Sequence, residues 1–230
     1  MILDGELYFA SMQELNDPFE FRWRDRFPAD PDEIDAFAKE VCAQRFPLDR
    51  TPAERLAHYE PLRQSMHEIV ARRHDRTALT ETSATYGVFC ASEINSDILM
   101  WSHYAADHKG LCVGICTERV TDKQFYAVQY TDSLPIIDVR EYLQFSTATF
   151  DKMALAKAKH WEYEKEWRNG DVPGAHRFPG CVDAIVLGAM MPEATRREVR
   201  EATESAKCEI KIVEAGRSES HYRLDIPRLD

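Results

Sequence analysis

Short apolar runs with the period of β-strands recur along this chain without regular spacing, and that irregularity constrains its architecture more than any other feature. Glu6 to Ser11, Tyr86 to Ala91, Leu111 to Cys116, Phe125 to Tyr130, Ala184 to Gly188, Glu209 to Val213 and Tyr222 to Ile226 read as strands. Helical stretches fall between some of them and not others, so the repeating βαβ unit of a doubly wound parallel sheet is missing. The pattern predicts an α+β fold, a single domain over residues 1–230 with a mixed or mainly antiparallel sheet. Its 230 residues, 44% of them apolar, suffice for a buried core, and no internal repeat or low-complexity tract divides them. A strand this close to the N-terminus suggests that an earlier element is absent from the chain.

One long helical insertion interrupts the strands at about residues 32–83. Ile34, Phe37, Ala38, Val41 and Phe46 recur at helical spacing behind the acids Asp32, Glu33 and Asp35, which suit the positive end of a helix dipole. A second helix is predicted from Thr51 as N-cap and Pro52 as first helical residue, with Leu56, Tyr59, Leu62, Met66, Ile69 and Val70 as its stripe. Pro61 should kink or divide it. Further helices are predicted at Thr147 to about His160 and Pro192 to Ala206, and a short one between Asp97, a natural N-cap, and Gly110.

Composition excludes several functional classes. The 29 basic and 40 acidic residues leave a net charge of −11, which repels a phosphate backbone and disfavours binding to duplex nucleic acid. Neither an apolar run of membrane-spanning length nor a basic, then apolar, leader is visible, so a cytoplasmic address without membrane contact is the expectation. Six cysteines lack any C-x-x-C pair, and four lie in apolar runs, which favours buried reduced thiols over a metal site. P-loop, dinucleotide-fingerprint, zincin and hydrolase-elbow motifs are all missing. Gly188, between a strand and a helix, is a weak candidate for presenting amides to a phosphate.

Three clusters can carry chemistry. The first, Asn16-Asp17-Pro18-Phe19-Glu20, either sets an amide and a carboxylate beside a ligand or is a capped turn whose Phe19 plugs the core. The second is Met100-Trp101-Ser102-His103-Tyr104 running on to Asp107-His108-Lys109-Gly110. On a helix, His103 and Asp107 share a face, so the carboxylate can hold the imidazole in one tautomer for general-base work or merely stabilise the helix. Ser102 or Tyr104 can supply a hydroxyl, while Trp101 and Tyr104 serve either as a stacking platform or as core. The third, Trp161 to Arg168, alternates aromatic and charged residues. If extended, it projects Glu162, Glu164, Glu166 and Arg168 from one sheet face. If helical, it is an ordinary surface helix; the alternation favours a helix ending near Tyr163 and a strand around Glu164 to Arg168.

At these clusters the chain resembles the bacterial domain of unknown function 2971 family. Leu7-Tyr8-Phe9-Ala10-Ser11 with Asn16 to Glu20, Gly87-Val88-Phe89-Cys90 with Met100 to Ala105 and His108-Lys109-Gly110, and Trp161 to Arg168 occur in the expected order over residues 7–168. An early Tyr-Phe-Ala-Ser strand and a late Glu-x-Glu strand are also similar to the layout of ADP-ribosyltransferase-like folds. That similarity implies NAD as candidate substrate and Glu166 as the carboxylate that stabilises the departing-nicotinamide state, with Glu164 as its partner in the motif. It further implies Ser11 near the cofactor and Tyr104 or Trp101 stacked on nicotinamide. The Arg or His that those folds usually carry on a first strand has no counterpart in this chain.

Two functions from different classes follow. One is an NAD-using transferase with Glu166 catalytic and His103 orienting the substrate. The other is a non-catalytic small-molecule sensor or protein-interaction module, in which Asn16, His103, Glu164 and Arg168 form a buried polar network. A nucleotide-processing hydrolase with Glu, Asp and His as metal ligands is a third, though no ligand spacing singles out a metal site. Across these readings the candidate residues are Glu166, Glu164 and His103 for catalysis, and Ser11, Asn16, Asp17, Trp101, Tyr104 and Arg168 for a small nucleotide-like ligand. Enzyme readings require Glu166 and His103 to be open to a ligand, whereas the network reading requires them buried and mutually satisfied.

Overall fold

A computed structural model describes residues 3, 5–26, 30–45, 51–71, 85–120, 124–138, 141, 147–206 and 209–229. In chain order the elements are β1 (Glu6–Ser11), β2 (Arg24–Arg26), α1 (Pro31–Arg45), α2 (Pro52–Ala71), β3 (Gly87–Ser92), α3 (Ile98–Tyr104), β4 (Leu111–Ile115), β5 (Tyr126–Ala127), β6 (Gln129–Thr131) and β7 (Ile136–Asp138). There follow α4 (Thr147–Ala154), β8 (Ala156–Ala158), a 3-10 helix (Lys159–Glu164), β9 (Glu166–Asp171), β10 (Gly174–Arg177), β11 (Val182–Leu187), α5 (Glu193–Glu204), β12 (Lys211–Glu214), β13 (Gly216–Arg217) and β14 (Leu224–Asp225). The fold is α+β, and the chain forms two compact units: residues 1–18, 83–132 and 157–230 in one, 19–82 and 133–156 in the other. Among the described residues no helix is long and apolar enough to cross a membrane.

The first unit is built on an antiparallel sheet of order β10-β1-β3-β9-β5. Alternation along each strand sorts its side chains between two faces. Leu7 and Phe9 on one face join Val120, Phe178, Cys181 and Val182 in a core, with Phe89 packed against it. On the other face the register sets Cys90 opposite Arg168 and Ser92 opposite Glu166, with Tyr126 on the far side of Arg168. A second sheet of order β12-β11-β4 is mixed, parallel between β11 and β12 and antiparallel between β11 and β4. Its central strand is apolar on both faces, as a doubly covered strand must be. Val186 packs with Trp101, Ala105, Ala215 and Leu224, while Ile185 and Leu187 pack with Met191.

The second unit pairs α1 with α2, and its core is Ile34, Phe37, Ala38, Val41 and Met66. Phe46 and residues 72–83 of the expected insertion lie outside the described residues. Thr51 caps α2 as predicted: its Oγ1 accepts from the Glu54 backbone N–H at 3.3 Å, and Glu54 Oε2 accepts from the Thr51 N–H at 2.8 Å. Pro61 does not divide the helix, which runs on to Ala71 with the Ala57 carbonyl deprived of its usual donor. Leu56, expected in the stripe, is exposed, since the face that meets α1 centres on Met66 with Tyr59, Leu62 and Val70 beside it. β2 and β7 pair in parallel in this unit.

Three predicted elements break where tertiary bonds intervene. The run Phe125 to Tyr130 divides into β5 and β6, because the Val128 N–H between them turns to the Glu166 carbonyl at 2.9 Å. The helix predicted from Thr147 to His160 ends at Ala154, after which β8 pairs with β6. Glu162 is helical as expected, but Glu164 ends the 3-10 helix rather than opening the strand, and Lys165, left-handed at φ 46°, separates it from Glu166, where β9 begins.

Candidate functional site

The break at Lys165 assembles the site in the first unit. A left-handed residue reverses the local path, so Glu164 at the end of a 3-10 turn and Glu166 at the start of β9 approach the same point from different elements. Ser92 Oγ donates to the Glu164 carbonyl at 2.6 Å, and the Glu93 N–H to the Lys165 carbonyl at 3.3 Å, which pins this segment to β3. Between the two carboxylates stands Lys157 of β8. Its Nζ donates to Glu164 Oε2 at 2.6 Å and to Glu166 Oε2 at 2.8 Å. Arg168, two residues along β9 on the same face, donates from Nε to Glu166 Oε1 at 2.7 Å and from a terminal nitrogen to Oε2 at 3.1 Å.

These four residues form a buried chain of alternating charge, Glu164, Lys157, Glu166, Arg168, each exposed by 6% or less. Two carboxylates so close would repel strongly, but each faces a cation and the chain is neutral in sum. Burial by itself raises the pKa of Glu166. The charge and hydrogen bond of Arg168 outweigh it together with Lys157 and a bond from the Cys90 side chain, and the carboxyl falls to about 2. The Glu166 N–H donates to Tyr130 Oη at 2.8 Å, and burial pushes that phenol up.

A second layer of side chains closes a circuit beside this chain. Tyr104 donates its hydroxyl to Glu164 Oε1 at 2.6 Å and accepts from Asn16 Nδ2 at 3.3 Å. Burial, and then the bond to Glu164, raise the pKa of the Tyr104 phenol. The His103 ring lies 6.2 Å from both the Tyr104 and the Trp161 rings, edge-on to each. Trp161 Nε1 donates to the buried Asp17 Oδ2 at 2.7 Å, and Asp17 is joined to Asn16 by the peptide bond. Five residues thus form a ring of contacts, and Lys157 Nζ sits 5.1 Å from the centre of the Trp161 ring. Asn16, His103 and Tyr104 are its exposed members.

The structure therefore brings together nine side chains from all three sequence clusters and from β8: Asn16, Asp17, His103, Tyr104, Trp161, Glu164, Glu166, Arg168 and Lys157. Sequence reasoning missed Lys157, which falls in a stretch that reads as helix; a lone lysine among Leu155, Ala156 and Ala158 was its one signal.

Other expectations are corrected. Trp101 is no stacking platform: it is 3% exposed, donates from Nε1 to the Asn95 carbonyl at 2.7 Å and packs in the core with Val186 and Leu224. His103 and Asp107 do not share a helical face, because α3 ends at Tyr104 and Ala106, Asp107 and His108 are all left-handed. His108, rather than Asp107, is tied back, its Nε2 lying 3.1 Å from Ser102 Oγ and its ring stacked on Trp101. The predicted cap Asp97 does accept from the N–H groups of Leu99 and Met100. Ser11 stands at the end of β1, where its N–H donates to Glu14 Oε2 at 2.7 Å, and no contact joins it to the circuit among the described residues. Phe19 is 61% exposed and plugs no core.

The Gly188 turn offers no phosphate cradle, since its amides are spent on carbonyls. The N–H groups of Gly188 and Met190 donate to Gly110 and His108, and a methyl at Gly188 would collide with those same two carbonyl oxygens. The five described cysteines form no disulfide; Cys42 and Cys181 are buried, but Cys90, opposite Arg168 on β3, is exposed. Among the described residues no group of three or more His, Cys, Asp or Glu is placed to hold a metal ion.

Fold and site together define an α+β protein whose central sheet carries a buried carboxylate-cation chain beneath an exposed aromatic and amide rim. The model of one family, described as Protein of unknown function (DUF2971), matches residues 100–169, a span that runs from α3 to β9 and holds Tyr104, Lys157, Glu164, Glu166 and Arg168. This match supports membership of the chain in that family. Comparison with curated proteins and with solved structures gives no significant match.

Proposed function

We propose that the protein is a non-catalytic binding module that senses a small nucleotide-like molecule at the rim formed by Asn16, His103 and Tyr104. One observation carries this reading: the charged groups of the frame are turned inward onto one another, while Asn16, His103 and the ring of Tyr104 are exposed beside them. A carboxylate that accepts from both Arg168 and Lys157 is poorly placed to accept from a ligand. As a fixed counter-charge it serves well, because buried and mutually satisfied ion pairs hold neighbouring side chains in one arrangement. The frame positions Tyr104 through Glu164, while Asp17 holds Trp161, whose ring meets that of His103 edge-on.

The test is a thermal-shift titration of the whole chain against NAD, ATP and adenosine, with divalent metal ions as controls. A bound ligand at about 100 times its dissociation constant adds roughly 2.7 kcal/mol to folding stability. Stabilisation by at least one nucleotide or nucleoside, lost in Tyr104→Ala, is the expected result. A flat response to every compound in a folded protein overturns the reading.

A second reading, an NAD-using transferase resembling ADP-ribosyltransferases, is favoured by one specific feature. Glu166 is held ionised and rigid on a strand, as a carboxylate opposite a developing oxocarbenium ion must be. In that reaction nicotinamide leaves with the electron pair of its bond to ribose, and a nucleophile of the acceptor attacks the ribose carbon. Release of nicotinamide from NAD that Glu166→Gln abolishes without loss of NAD binding would establish it; binding without release leaves the module reading in place.

A further inference from the structure

We infer that the rim recognises its ligand through a neutral amide edge, a hydrogen-bond donor beside an acceptor on a flat ring, rather than through a charged group. The inference rests on the binding-module reading and concerns which chemistry that site accepts. It follows from counting the hydrogen-bonding groups the circuit leaves unspent.

Tyr104 spends its only proton on Glu164, so the Asn16 amide must present its NH2 to the phenol oxygen. That choice fixes the orientation of the amide and leaves Oδ1, an acceptor on an exposed residue, off the phenol. Among the described residues neither Oδ1 nor either ring nitrogen of His103 has a hydrogen-bond partner. A neutral imidazole offers one donor and one acceptor whichever tautomer it adopts. The exposed rim therefore presents an acceptor on Asn16, a donor and an acceptor on His103, and a half-exposed aromatic face on Tyr104.

The charges of the frame do not alter this inventory. Glu164, Lys157, Glu166 and Arg168 sum to zero and are turned on one another, so the frame sets no net charge against the ligand. A planar ligand lying on Tyr104 with its NH2 toward Asn16 Oδ1 and its carbonyl or ring nitrogen toward the His103 N–H satisfies both residues together. Carboxamides on a pyridine ring and the amino-substituted edges of nucleobases have this pattern. A carboxylate in the same place would set its charge against the Asn16 acceptor, and a ring stripped of its amino group would leave that acceptor unmet.

Isothermal titration with two matched pairs of ligands tests the inference: nicotinamide against nicotinate, and adenosine against purine riboside, which lacks the amino group. The first member of at least one pair should bind about tenfold more tightly than the second, the size of one lost hydrogen bond with an unpaired partner. Asn16→Leu and His103→Ala, both at exposed positions, should each remove that preference while leaving the protein folded by circular dichroism. Equal binding of both members, or preference for nicotinate, overturns the amide-edge inference and leaves the module reading standing. If none of these four binds but ATP or NAD does, the inference also fails and the module reading survives. No binding by any compound defeats both.

Discussion

Replacing Lys157 with Met keeps an unbranched apolar stem in place and deletes only the ammonium group, which isolates the charge that the frame depends on. In the wild type that ammonium donates to Glu164 at 2.6 Å and Glu166 at 2.8 Å, and its side chain is 4% exposed. Arg168 remains on Glu166 after the change, so the loss falls chiefly on Glu164, which is left with the Tyr104 hydroxyl alone. Removing one partner of a buried ion pair costs about 3–5 kcal/mol, because the other charge stays buried without compensation. We expect a loss of about 4 kcal/mol, a large share of the roughly 5–15 kcal/mol that holds most domains folded. Urea denaturation at neutral pH, followed by tryptophan fluorescence, measures it on wild type, Lys157→Met, Glu164→Gln and the double variant. The second substitution should recover about half of the loss, since it removes the stranded charge. A loss below about 1 kcal/mol for Lys157→Met, or strict additivity in the double variant, would refute the claim that these groups are desolvated and coupled.

Other perturbations address separate parts of the argument. Glu166 titrates near 2 in the folded protein against an ordinary 4.5, so its contribution is fully present above about pH 4.5 and is lost as pH falls toward 2. That shift corresponds to about 3 kcal/mol, and acid unfolding of Glu166→Gln should lack this component of the pH dependence. Trp101→Ala should destabilise by about 3–5 kcal/mol through the cavity it opens around Val186 and Leu224; unchanged stability in urea would return Trp101 to the surface. Ala106→Gly should raise stability by about 0.5–1 kcal/mol, because glycine adopts the left-handed geometry there without the steric cost of a Cβ; a lower midpoint in the same assay would show the turn to be right-handed.

How far the sequence could be read depended on the range of the forces involved. The first turn of α2 was legible because Thr51 and Glu54 act on each other three residues apart, a distance set by helix geometry alone. The apolar stripe of α1 was legible for the same reason, and so was the Asp97 cap of α3. His103 and Asp107 misled because the spacing assumes a helix that continues, whereas His108 is drawn onto Trp101 and its carbonyl onto Met190. Lys157 was invisible because nothing within its own stretch explains it; its partners lie seven and nine residues away, across a 3-10 turn and a left-handed residue.

The sequence by itself determined the mixture of strands and helices and the three clusters from which the site is drawn, since period, caps and composition act over a few residues and survive any arrangement of the rest. Only the tertiary structure decided which of those residues are charged frame and which are exposed rim. Asn16 meets Tyr104 across 88 positions and Asp17 meets Trp161 across 144, and such pairs are set by where the turn after β1, the end of α3 and the 3-10 helix come together and not by any local preference. The physical reason is desolvation: a buried carboxylate requires a cation within hydrogen-bond reach, and where that cation stands depends on how the whole chain is folded around it.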